Sequence, residues 1–376
     1  MAAKRSIRDA VDLSTVDPVW AWTEYRPDGD RPWTLQRAGH LLRRAGFGAD
    51  WARLQRAVSA GPAEAVQRML KPEEDVAAFD RMLDDDEQPA AQLGEVGALP
   101  AWWLRRMILT PHPLRERMTL FWHGFFGISN ARVNDGRLML GHIRTLRKNA
   151  LGSYEVLLTE LVRDPAVLVG VGAEANRRKI LNENLPRQLF EQWSVGPGQY
   201  GAHDVREAAR AFTGWFVRAG GRLDYVPREH DTESKVVLGK KGDWNGEDVV
   251  RIVLEQPVTA RMLARKLFRW LIAENGEPPD SLLDPLVSML REKYDVGRVV
   301  ATMLRSNLFF SDGAYRQRVK SPLEYALGIV RGAGATIPTA PLSASLASLG
   351  QRLYTPPTTS GWPGGRHWIN AAAVLE

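Results

Sequence analysis

The chain has 376 residues, 44% hydrophobic and 25% charged, a globular composition with length for roughly two domains or lobes. Lysine and arginine exceed aspartate and glutamate by 50 to 44, spread over mixed-sign segments with no basic run, so nucleic-acid and membrane-surface binding are not expected. With no cysteine, disulfides, thiolate zinc sites, iron–sulfur clusters and cysteine nucleophiles are excluded.

No apolar run approaches the roughly 18 residues of a membrane helix, and the start lacks the apolar region of a secretory signal, so a cytoplasmic location is expected. Residues 1–33 are polar and proline-bearing, with Trp20, Trp22 and Trp33, and read as an arm tacked to the body by indoles. Residues 34–376 read as a single mainly helical domain, with a glycine-rich loop at 170–178 where two lobes would meet. Thr34–Ala45 is a helix with Leu35, Ala38, Leu41, Leu42 and Ala45 inward; His40 and Arg44, four apart, share another face. A second amphipathic helix covers Asp50–Leu70. The acidic 71–98 stretch reads as a short helix and a surface loop, and Ala101–Leu109 as a helix stopped by Pro111.

The stretch from Pro113 to about Ile128 predicts one buried helix. Leu114, Met118, Phe121, Trp122 and Phe125 make its apolar face, and Glu116, Thr119 and His123 fall on one polar stripe. Glu116 is placed there to orient the His123 ring or to share a ligand with it. Helices are expected over 131–151, Tyr154–Arg163, Lys179–Val195 and Asp204–Phe216. Pro186 belongs in the first turn of the third, which sets Asn182, Glu183 and Asn184 at its start. The pattern breaks over 218–245, where a small β-hairpin is expected near 222–239, with His230-Asp231 in a loop. Helices follow at 246–254, 259–273, 278–292 and 296–306. Ser321-Pro322-Leu323-Glu324 is a complete helix start, with N-cap serine, proline at N1 and glutamate at N3. Thr355–Asn370 reads as an irregular packed loop. The class is mainly α, a multi-helix array of roughly a dozen helices with at most one hairpin.

Walker, dinucleotide, nucleophile-elbow and zinc-protease signatures are missing, so the familiar hydrolase, kinase and dehydrogenase classes are not expected. Seven histidines remain. His123 reads either as a core histidine with one satisfied hydrogen bond or as a general base. His40 is a partner of Arg44 or of a backbone carbonyl, or part of a site. His230-Asp231 is a functional loop pair or a turn held by the Asp231 side chain. Asn182, Glu183, Asn184 and Arg187 form a capping network or an anion site at a helix start. Lys320 is a surface cation before a strong cap, or a binding residue.

The blocks GHLLRRAGFG (39–48), LRERMTLFWHGFF (114–126), NENLPRQLFE (182–191), DVREAARAFTGW (204–215), HDTESKVVLG (230–239), KSPLEYALGIVRGAG (320–334) and PPTTSGWPGGRHWIN (356–370) together resemble the bacterial domain of unknown function 1800 family, in that family's order. The resemblance implies a largely helical fold. It also implies a gene often placed beside domain of unknown function 1501, which is similar to sulfatases and alkaline phosphatases. Many members look exported. His40, Arg43, Arg44, His123, Asn182, Glu183, Asn184, Arg187, His230, Asp231, Lys235 and Lys320 match the family's recurring polar positions. The departures are Phe125, where a second histidine is common, Leu185-Pro186 for tyrosine-alanine, Gln188 for a glutamate, and Gly201 for a capping threonine. Relatives continue past the Trp-Pro-Gly block, so a trimmed C-terminus at Glu376 is expected.

Two readings stand side by side. One is a hydrolase-like enzyme acting on a sulfated, phosphorylated or carboxylated substrate. His123, His230 and Asp231 would be catalytic, and His40, Arg44, Glu183, Asn184, Arg187 and Lys320 would bind. A divalent metal would sit on His123 or His230 with Asp231 or Glu183, and Phe125 weakens that set. The other is a non-catalytic accessory or binding partner of a sulfatase-like protein. A third option makes the polar positions buried networks that only specify the fold. A single site requires His40, His123, Glu183 and His230 to converge on one pocket.

Overall fold

The structure, a computed structural model, describes residues 12–92, 98–274 and 276–369, with backbone alone for 85–92. The described residues are 59% helix, with eighteen helices, and two short antiparallel strand pairs are the only sheets among them, so the class is mainly α as expected.

The fold is built round the Pro113–Phe126 helix. Eleven of its fourteen residues are buried, including Glu116, Arg117, Thr119 and His123. A helix enclosed on every side must be apolar almost all round or pair its polar groups internally. This one does both. Phe121 meets Trp270 at 5.6 Å, and Trp122 stacks on Tyr154 at 5.5 Å. The helix ends at Gly127, left-handed at φ 64°, where the Thr359 backbone leaves no room for a Cβ. Gly361, at φ 84°, lets the C-terminal loop touch the Gly124 backbone in the same way. These two contacts lay the 355–369 loop along the central helix and bring Trp362 to within 5.3 Å of His123, ring centre to ring centre.

The remaining helices pack round this axis over a hydrophobic core that runs from Leu13 to Tyr354. Two of the N-terminal tryptophans pack on the body, and Trp20 is exposed. Trp22 Nε1 donates to the Leu282 carbonyl at 2.6 Å, and Trp33 packs edge-on to Phe310. Residues 1–11 of the arm, 93–97 of the acidic stretch and 370–376 lie outside the described residues.

Four details differ from expectation. The acidic stretch forms a longer helix, Val76–Gln92, and Thr339–Ser348 is a further helix. The single hairpin near 222–239 is replaced by two strand pairs, Trp215–Val217 with Leu223–Tyr225 and Lys235–Val237 with Lys240–Gly242. The expected Lys179–Val195 helix begins only at Asn184 and turns π-helical over Leu189–Trp193. Its first residues are held otherwise. The Asn182 N–H donates to Asn176 Oδ1 at 2.9 Å, and the Asn184 N–H donates to Asn182 Oδ1 at 3.0 Å. Asparagine side chains that bond nearby backbone compete with helix in this way.

The Ser321 start forms as read, for the Pro322–Gly332 helix. Ser321 Oγ accepts from the Glu324 N–H, and Glu324 Oε2 accepts from the Ser321 N–H at 2.8 Å.

Candidate functional site

The predicted site residues fall in four separate places. His123 is fully buried in a cage of rings, with Trp103, Tyr354, Trp362 and His142 at centroid distances of 5.6, 6.0, 5.3 and 6.5 Å. Neither ring nitrogen has a hydrogen-bond partner. Phe121, Trp122 and Phe125 project elsewhere round the helix. Glu116 does not orient His123 either, because its oxygens accept from Arg106, Arg147 and Trp103. The neighbouring His142 is held by Asp164, Nδ1 to Oδ2 at 2.7 Å, and its Nε2 is unpartnered. No group of three or more His, Asp or Glu side chains suited to a metal ion occurs among the described residues.

Burial holds the His123 pKa near 3, with His142 adding to the shift; burial beside Arg44 and Arg43 holds His40 near 3. Such a ring stays neutral in the fold, while in the unfolded chain it takes up a proton below about pH 6.5. Its contribution to stability is therefore whole above pH 6.5 and is lost as the pH falls from there towards 3. Each histidine adds at most about 1.4 kcal/mol per pH unit to that slope. His123→Phe keeps the ring and removes the titration. Its urea stability between pH 6.5 and 4 should vary less steeply than that of the parent, by roughly 1.4 kcal/mol per unit. An unchanged slope would mean that the folded ring already takes up the proton.

The second place is the start of the Asn184–Gln188 helix. Glu183 and Arg187 pair at 2.9 Å on the surface, and the Asn182 and Asn184 side chains both donate to the Gly172 carbonyl. These bonds tie the 170–178 loop to the start of the helix. The third place holds His230 and Asp231. His230 Nδ1 donates to the Thr213 carbonyl at 2.9 Å, and Asp231 takes a bidentate Arg210 at 2.8 and 3.1 Å. Asp231 Oδ1 also accepts the Glu233 N–H, the turn bond expected of an aspartate in a loop. Lys235 is buried beside this set and donates to the Glu233 carbonyl.

His40, Arg44 and Lys320 do come together. They line a cavity of about 130 Å³ with Arg43, Arg117, Arg316, Arg318 and Glu324. That volume is well above the roughly 10–15 Å³ one water requires. His40 and Arg44 arrive on one face of the Leu35–Arg44 helix, Arg117 from the central helix, and Arg316, Arg318 and Lys320 from the segment before Ser321. The Pro257–Leu271 helix points its C-terminal carbonyls at this cluster. Arg44 donates to the carbonyls of Trp270, Leu271 and Ile272, and Arg318 to that of Trp270, an arrangement that the negative end of a helix dipole favours.

Six basic side chains here face one lining carboxylate. Glu324 pairs with Arg117 and, at 3.1 Å, with Arg318. Arg43, Arg316 and Lys320 pair with no carboxylate among the described residues. Burial and like charge push in the same direction. Arg44 is driven well below its usual value by burial and by Arg318 and Arg117. Arg117 falls to about 10 through burial, partly offset by Glu324. Lys320 is lowered by burial and Arg43. Glu324 is also lowered, to about 2, which for an acid favours the charged form, because Arg117 and Arg318 outweigh its burial. Buried polar atoms of three lining residues lack hydrogen-bond partners: Arg117 Nε and Nη1, His40 Nε2, and Glu324 Oε1, which makes ion contacts with Arg117 and Arg318. A cluster of this kind stabilises an anion by charge and by directed N–H donors.

Arg117, Arg316 and Arg318 were not singled out from the sequence, nor was Arg43 beyond its family position. The Arg316-x-Arg318-x-Lys320 spacing is the one local signal of a shared cationic face. Arg117 carries no such signal, since its partner Glu324 is distant in the chain.

Comparison with known proteins adds one finding. No curated protein and no solved structure matches the chain. One family model matches residues 40–376, from the cavity's histidine through the C-terminal loop, and by that match the chain belongs to the family described as Protein of unknown function (DUF1800).

Proposed function

We propose that this chain recognises an anionic group, a sulfate, phosphate or carboxylate, in the cavity of His40, Arg43, Arg44, Arg117, Arg318 and Lys320. The carrying observation is the charge imbalance, six basic side chains to one carboxylate, with buried guanidinium donors left unpaired. The reading is of binding. A general base works best with a pKa near the working pH, and burial holds both His40 and His123 near 3.

The test is calorimetric titration with sodium sulfate and phosphate against chloride at matched ionic strength. The parent should bind sulfate or phosphate and not chloride. Arg43→Ala and Lys320→Ala each remove a charge-assisted contact at the exposed edge, and each should weaken binding about ten-fold, or ~1.4 kcal/mol. Equal affinity in both variants would sink the assignment. Hydrolysis of a sulfate or phosphate ester by the pure protein, lost in His40→Ala, would replace recognition with catalysis. Recognition without turnover is also what an accessory to a sulfatase-like protein requires, and co-purification with such a neighbour is the check on that role.

A further inference from the structure

A second cavity, of about 460 Å³, shares Arg318 with the first. Its aromatic lining comes from three directions: Phe121 and Phe125 from the central helix, Trp270 from the end of the Pro257–Leu271 helix, and Trp362 and Trp368 from the C-terminal loop. Four buried side-chain atoms of its lining residues have no hydrogen-bond partner. Three are donors, Arg269 Nε, Trp270 Nε1 and Trp362 Nε1, and one is an acceptor, Glu274 Oε2. Buried polar atoms are nearly always paired, and each left unpaired costs on the order of 1–3 kcal/mol. Four among the residues of one cavity mark a site that a polar ligand or water completes.

The mixture narrows the ligand. An acyl chain would cover the indoles and leave all four atoms unpaired. A small inorganic anion would satisfy the donors, leave the rings bare, and meet the Glu274 carboxylate. A sugar ring suits both features, since its C–H face packs on an indole while its hydroxyls donate to a carboxylate and accept from N–H groups. Arg318 links the two cavities physically. Its guanidinium lies 4.1 Å from the Trp270 ring centre and pairs with Glu324 in the cationic cavity.

We propose that this aromatic cavity is a saccharide subsite, and that the protein's ligand is an acidic oligosaccharide. A sugar ring lies against Trp362 and Trp368, because Arg117 and Arg318 already pack on the Trp270 ring at 4.3 and 4.1 Å, and its sulfate, phosphate or uronate group enters the cationic cavity past Arg318. The proposal rests on the anion-recognition reading of that cavity.

The experiment titrates the full chain with hexasaccharides carrying sulfate, phosphate or uronate, with their neutral parents, and with inorganic sulfate, reading heat and tryptophan fluorescence. At least one acidic hexasaccharide should bind at least ten-fold more tightly than both its neutral parent and inorganic sulfate. Trp362→Ala and Trp368→Ala should each cost that hexasaccharide about ten-fold and leave inorganic sulfate within two-fold. Trp368 is outside the hydrophobic core, so its variant remains informative if Trp362→Ala unfolds. Sulfate binding with no gain from any acidic hexasaccharide would overturn the saccharide subsite and leave anion recognition standing. The same overturning follows if Trp368→Ala binds the hexasaccharide as the parent does. Failure of every anion, inorganic or saccharide, would overturn both.

Discussion

Glu116→Ala should cost the protein about 3–5 kcal/mol, the range seen when one partner of a buried ion pair is removed. The carboxylate is fully buried under the central helix. Arg106 Nε and Arg147 Nε both donate to Oε1, at 2.9 and 2.8 Å, and Trp103 Nε1 donates to Oε2 at 2.8 Å. Burial alone would raise its pKa, but Arg147 and Arg106 overcome that and hold it near 2. Removing the carboxylate leaves Arg147 without a carboxylate partner among the described residues, and Arg106 with Asp80 alone. Both guanidiniums are nearly inaccessible, so water cannot replace the lost acceptor cheaply. Urea unfolding at pH 7 reads the loss, and a change under about 1 kcal/mol would mean that solvent reaches the cluster. Glu116→Gln, which keeps an acceptor for Trp103, should fall between. The pH dependence has the sign opposite to that of an ordinary buried acid. Because the folded pKa lies below 4.5, the contribution of Glu116 is present above pH 4.5 and is lost as the pH falls towards 2. The histidines act earlier, from pH 6.5 downward. Acid unfolding of the parent should therefore begin well before its carboxylates titrate, and the Glu116 variants should lose only the lower part of the curve.

What could be read from the sequence was local, and what could not was the meeting of distant segments. Ser321, Pro322 and Glu324 form the helix start their order predicts, since capping is decided within four residues. His40 and Arg44 share a helix face and line one cavity, as their i, i+4 spacing requires. Convergence of His40, His123, Glu183 and His230, which a single site would require, does not occur. Local chemistry could not exclude it, because each residue suits either a site or a structural bond. They are held apart in the fold: Glu183 bonds to Arg187 and His230 to the Thr213 carbonyl, while the His123 ring bonds to nothing. The charge of the cationic cavity was hidden for the same reason. Arg117 sits among apolar residues of a buried helix, and only the approach of Glu324, Arg318 and Trp270 gives it a role. The start of the 184–193 helical segment was misplaced because asparagine side chains at 176 and 182 hold the backbone before Asn184, a competition that helical periodicity does not register.

Glu324→Gln should both destabilise the protein and make its stability depend on added anion. Glutamine keeps the oxygen that accepts the Ser321 N–H, so the helix cap survives and only the charge is removed. The loss falls on Arg117 and Arg318, whose shared counter-charge disappears, and on Arg44, which Glu324 also steadies. About 3 kcal/mol is expected, the lower end for an unpaired buried charge, because an acceptor remains. A sulfate or phosphate ion can take the carboxylate's place. Bound at a hundred times its Kd, it returns ~2.7 kcal/mol, nearly the whole loss. In the parent the same ion competes with Glu324 for Arg117 and Arg318, so it should bind about ten-fold more weakly there, a difference of ~1.4 kcal/mol. Thermal unfolding with and without sulfate, on parent and variant at one ionic strength, separates this from general salt effects. Those act on both proteins alike, through screening and surface exclusion. A larger sulfate-induced rise in Tm for the variant than for the parent places the anion at Glu324. An equal rise, or none, would put the anion elsewhere and leave the arginine cluster as scaffolding for the end of the Pro257–Leu271 helix.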